Sequence, residues 1–130
     1  MDKIILFQEK AVRRVWHNGE WYFVVNDVIQ ILTDTADVKS YWMNMKRKNP
    51  ELAKGGGTIY TPLSVATEGG KQRLNCANTE GVLRIIMSVP SPNAEPFKLW
   101  LAQVGRERIE EIENPELSIE RARENYRAKG

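Results

Sequence analysis

Trp21-Tyr22-Phe23-Val24-Val25-Asn26-Asp27-Val28-Ile29-Gln30-Ile31-Leu32 changes character halfway along. Its first five residues are aromatic or β-branched and fit a half-buried strand. From Asn26 onward, Val28, Ile31 and Leu32 recur at the spacing of one helix face, with Asn26 as the expected N-cap. Upstream, Asn18-Gly19 sits between two strand-like runs within residues 13 to 25. Both residues tolerate the positive φ of a type I′ turn, which predicts a hairpin. Ile4-Ile5-Leu6-Phe7 also reads as a strand.

Downstream, residues 33 to 36 read as a turn. A second helix is expected from Asp37 to Lys48, with Val38, Tyr41, Trp42 and Met45 at i, i+3, i+4, i+7 on its inner face. Asn49-Pro50 ends it, and Gly55-Gly56-Gly57 predicts a loop. Strand character returns at residues 59 to 66 and 73 to 77, joined across Glu68-Gly69-Gly70-Lys71 as a second hairpin. Thr79 is the expected cap of a helix reaching Val89, whose apolar residues nearly encircle it and leave only Arg84 and Ser88 polar. Prolines 90, 92 and 96 precede a long helix from Ala94 to Glu113, anchored by Phe97, Trp100, Leu101, Val104, Ile109 and Ile112. Asn114-Pro115 restarts the chain as a mostly polar helix over residues 116 to 129. The expected fold is therefore α+β: two small antiparallel β-hairpins packed on a helical core, with a helix-turn-helix-like unit and C-terminal helices. The core is expected to form between the helix of residues 79 to 89 and the long helix that follows.

Composition narrows the function. At 130 residues, 42% hydrophobic and 28% charged, the chain fits one soluble globular core. No apolar run nears the ~20 residues of a membrane span, and the start lacks a signal peptide, so no membrane partner and a cytoplasmic location are expected. The single cysteine, Cys76, and the single histidine, His17, leave no metal cluster, and no cofactor is expected. His17 reads as an exposed turn residue without a nucleophile to serve, the triple glycine lacks the Lys-Ser/Thr of a phosphate loop, and no catalytic residue is assigned. The net charge of +2 and pI near 8.7 do not announce nucleic-acid binding unaided. The balance leans forward, however: residues 1 to 75 carry eleven Lys/Arg against eight Asp/Glu, and the remainder eight against nine.

Residues 26 to 48 have the logic of a helix-turn-helix unit. Lys39, Ser40, Asn44, Lys46, Arg47 and Lys48 lie away from the apolar face, where Asn44 can read adenine, Arg47 guanine, and the lysines can neutralise phosphates. Lys71 and Arg73 at the second hairpin can act as a wing. The same groups also fit an ordinary solvated surface, and pattern alone does not choose. Trp16, Trp21, Trp42 and Trp100 can stack on bases, but their placement reads as core packing.

The opening stretch resembles the "W-F-V-x-x-D-V-x-x-x-L" start of BRO N-terminal domains, found in baculovirus repeated-ORF proteins and phage antirepressors. Thr79-Glu80-Gly81-Val82-Leu83-Arg84-Ile85-Ile86 resembles the family's "E-G-L/V-x-x-L/I" helix, and Phe97-Lys98-Leu99-Trp100-Leu101 its "F-K-x-W" helix, in the family's order. The resemblance implies a DNA-binding domain over residues 1–113, acting in transcription regulation. Residues 114–130 would form a helical extension leading to a region absent from this chain. After Trp100 the sequence departs from the "P-x-I-R-x-x-G" ending of many relatives. A protein-interaction module that binds a repressor protein or forms a homodimer is the alternative, with the mixed-charge helices from Ala94 onward as its surface.

Overall fold

The computed structural model describes residues 12–53 and 59–129; the strand expected at residues 4 to 7 and the glycine loop lie outside them. The chain divides into two compact units, Met1–Lys98 and Leu99–Gly130. In the first, β1 (Arg14–His17) and β2 (Glu20–Val24) form a hairpin, followed by α1 (Val25–Thr33) and α2 (Val38–Lys48). After a 3-10 turn at Pro50–Ala53 come β3 (Thr61–Thr67), β4 (Gly70–Ala77) and α3 (Thr79–Ser88). Asn18 and Gly19 take φ of 51° and 82°, as the two-residue hairpin requires.

The two hairpins join into one four-stranded antiparallel sheet of order β1-β2-β4-β3. The junction is short, with Phe23 opposite Ala77 and Val24 opposite Cys76. Helices α1 and α3 leave the ends of these central strands directly and pack on β2, β4 and each other. α1 buries Val25, Val28, Ile29 and Leu32, and α3 buries Gly81, Val82, Ile85 and Ile86. Gly81 is required by close approach: a Cβ there would overlap the backbone carbonyl of Ile59 and stand 2.9 Å from the Ala77 methyl.

Two expected caps move by one or two residues. Val24, not Asn26, precedes α1, because the strand runs into the helix without a break and Asn26 falls inside the first turn. At α3 the cap is Asn78, whose side-chain oxygen accepts from the Gly81 N–H at 3.0 Å, leaving Thr79 as the first helical residue. Arg13 ties the start of β1 to α1: its side chain grips the Asp27 carboxylate through two hydrogen bonds of 2.8 and 2.9 Å, and its backbone N–H adds a third.

The long helix, α4 (Glu95–Glu113), contributes no buried residue, contrary to the expectation that it completes the core. Phe97, Trp100 and Leu101 are half-buried, whereas Val104, Ile109 and Ile112 are exposed. In the second unit, the last part of α4 is joined to α5 (Glu116–Lys129) across Asn114-Pro115. No described helix is long and apolar enough to cross a membrane.

Candidate nucleic-acid interface

The link between α1 and α2 is built by side chains that bond their own backbone. Thr33 Oγ1 donates to the Ile29 carbonyl and accepts from the Thr35 N–H, and Thr35 Oγ1 accepts from the Asp37 N–H. Asp34 takes a left-handed φ of 56° and closes α1 through its N–H to the Gln30 carbonyl. Asp37 then caps α2, accepting from the Ser40 N–H at 3.1 Å and the Ser40 hydroxyl at 2.8 Å. These two bonds, the backbone one first, hold the Asp37 carboxyl below its ordinary pKa. The cap therefore stabilises α2 at neutral pH and is lost as the pH falls through the lowered value.

α2 buries Trp42 and Met45 and half-buries Val38 and Tyr41. Lys39, Met43, Asn44, Arg47 and Lys48 are exposed. At about 100° per residue, Lys39, Met43, Asn44 and Arg47 share the face opposite Trp42 and Met45. None of Asn44, Arg47 or Lys48 makes an ion pair or hydrogen bond with another described side chain, and the cationic last turn complements the helix dipole.

Two expected members of this face are placed differently. The Ser40 hydroxyl is engaged in the cap. Lys46 is half-buried, its Nζ 5.4 Å from the Trp42 ring centroid and 5.6 Å from that of Tyr60, while the two rings meet edge to face at 5.7 Å. Lys46 thus covers the core end of the helix by cation–π attraction. Beneath it, Trp42 Nε1 is buried with no hydrogen-bond partner among the described residues.

Lys71 and Arg73 are exposed on β4, where Arg73 Nη2 donates to the Pro62 carbonyl at 3.2 Å. Strand alternation and register set them on one sheet face with Asn75 and Ala77, and through the Phe23–Ala77 and Arg14–Phe23 pairs with Arg14, Trp16 and Trp21. Trp16 and Trp21 are not core. They are 57% and 39% exposed, touch edge to face at 5.1 Å, and carry the Arg14 guanidinium 4.0 Å over the Trp21 ring. Alternation separates Arg14 and Trp16 from Val15 and His17, a signal present in the sequence. Trp42 alone of the four tryptophans is buried.

The opposite sheet face holds a small cluster of Val24, Val65 and Cys76, flanked by Val15, Tyr22, Leu63 and Leu74. His17 belongs to β1 rather than the turn, is half-buried, and packs edge-on against Tyr22 at 5.4 Å. It lines a shallow groove with Val15, Thr61, Leu63 and Arg73. No group of three His, Cys, Asp or Glu able to hold a metal ion occurs among the described residues.

An antiparallel sheet whose two central strands each run straight into a packed helix, with a helix-turn-helix-like pair presenting a basic face, defines a compact α+β domain. The family model described as the BRO family, N-terminal domain, matches residues 11–107, and the chain belongs to that family. The match takes in all three stretches that carry the resemblance. No curated protein and no solved structure matches the chain.

Proposed function

We propose that this domain is a DNA-binding regulatory module of the prophage-antirepressor type, acting in transcription, with α2 as its reading element. It binds and does not catalyse. The reading is carried by one observation: Lys39, Asn44 and Arg47 stand exposed on the α2 face turned away from Trp42 and Met45. A helix of this width enters the major groove, where Arg and Asn make the bidentate contacts to guanine and adenine that discriminate bases. Met43, exposed between them, offers an apolar contact for a thymine methyl. The Arg13–Asp27 fork fixes α1, and the self-bonded link from Thr33 to Asp37 fixes the start of α2 after it, before any ligand arrives, which lowers the ordering cost of binding.

The test is selection of a binding site from random duplex DNA, followed by affinity measurements across a salt series. Lys39→Ala and Lys48→Ala are expected to weaken binding uniformly and flatten the salt dependence, as lost phosphate contacts do. Arg47→Ala and Asn44→Ala are expected to relax discrimination at one base pair by about 1–3 kcal/mol. If all four variants keep the parent's affinity and salt slope, α2 is not the reader, and Lys71 and Arg73 are tested next.

The exposed Trp16–Trp21 pair with Arg14 favours a second reading, a surface that grips a repressor protein. Tryptophan and arginine dominate the energy of protein interfaces. Such binding is expected to be nearly indifferent to salt and lost in Trp16→Ala.

A further inference from the structure

The two-helix unit of residues 99–130 leaves an apolar stripe in solvent. Between its helices lie charges: Arg121 donates to the Glu107 carbonyl at 2.8 Å and pairs with the Glu110 and Glu111 carboxylates at 3.5 and 3.8 Å. Trp100 and Val104 on α4 and Leu117 on α5 share the faces of these charges, while a second apolar set points the other way. On α4, Leu101, Gly105, Ile109 and Ile112 fall within an arc of about 80°, roughly opposite the three glutamates that meet α5. On α5, Ile119, Ala122 and Tyr126 form a similar stripe, turned away from Arg121. Ile109, Ile112, Ile119 and Tyr126 are 59%, 64%, 56% and 83% exposed, and a Cβ on Gly105 would meet open space.

A unit this small, with no buried residue among its described side chains, cannot hold itself together by burial. Domains below about 40 residues draw on disulfides, metals or association. The only cysteine is Cys76, outside this unit, and no metal-binding group occurs among the described residues, which leaves association.

Charge says with what. The turn end of the hairpin is acidic, with Glu107, Glu110, Glu111, Glu113, Glu116 and Glu120 against Arg108 and Arg121, whereas the far half of α5 is basic, with Arg123, Arg127 and Lys129 against Glu124. A dipolar rod of this kind complements a second copy of itself laid antiparallel across a twofold axis, acidic end beside basic end. We propose that residues 99–130 are a self-association element, which pairs with the same segment of a second chain through the outward α4 stripe centred on Gly105 and Ile109.

Sedimentation velocity on the full chain over a concentration series tests this. A dimer is expected for the parent. Ile109→Glu with Ile112→Glu is expected to weaken association at least ~100-fold, the order of a few apolar side chains at an interface centre, while the melting of the first unit is retained. Reversing Arg123→Glu and Arg127→Glu, which make no ion pair among the described residues, is expected to give monomers. A chain that also carries Glu113→Lys and Glu116→Lys is expected to dimerise again. A parent that stays monomeric at the highest concentration overturns the proposal. So does a dimer that survives the Ile109 and Ile112 substitutions, or charge reversals whose combination does not restore pairing.

Discussion

Ile85 and Ile86 on α3 are fully buried, whereas Ile109 and Ile112 on α4 stand in solvent. Both helices carry isoleucines near the spacing of a helix face, and the difference lies in what the sequence provides opposite them. α3 leaves the end of β4 and meets α1, β2 and the backbone at Ile59, with Gly81 letting the chains touch. The end of α4 meets α5 through Arg121 and glutamates. Periodicity states that a face wants covering; only the partner element decides whether the same chain covers it.

The sharpest way to probe this contrast is Trp42→Ala. Removing the one buried indole is expected to cost about 3–5 kcal/mol in urea unfolding and to free Lys46. Trp42→Phe is expected to cost far less, because it also removes the unpaired Nε1–H. Next comes Gly81→Ala. Its methyl must displace the Ile59 carbonyl, an overpacking expected to cost roughly 1–3 kcal/mol, against a stabilising effect for the same change at an unobstructed helical glycine such as Gly105. The smallest effect is expected for Trp16→Ala, within about 0.5 kcal/mol as for other surface substitutions. A loss comparable to that of Trp42→Ala would show that the hairpin face is covered in solution.

Local chemistry made much of this fold legible. Asn18-Gly19 announced its hairpin, and the i, i+3, i+4, i+7 run from Val38 announced α2 with Trp42 and Met45 inside. The boundaries at Asn26 and Thr79 were less clear, because Asn, Asp and Thr cluster there and several can cap. The joining of β2 to β4 was not legible: only the Phe23–Ala77 and Val24–Cys76 pairs make it, some fifty residues apart in sequence and without a turn motif. That junction also explains the tryptophans. β1 and β2 run past the point where β4 gives way to α3, so Trp16 and Trp21 sit at the free end of a hairpin. On α2, outward placement of Lys39, Asn44 and Arg47 followed from helical spacing, but the capture of Lys46 required Tyr60, a residue from beyond the loop, and that of Ser40 depended on which of its neighbours took the cap.

Cys76 gives the domain a built-in reporter. It lies at the narrow β2–β4 junction with no solvent exposure, its thiol donates to the Leu74 carbonyl at 3.4 Å, and burial pushes its pKa up to about 11. A thiol so placed is nearly all protonated at mildly alkaline pH and reacts with an alkylating probe only when the sheet parts. The alkylation rate of the unmodified protein thus measures how often the two hairpins separate, the one motion that would dissolve the platform on which α1 and α3 both stand.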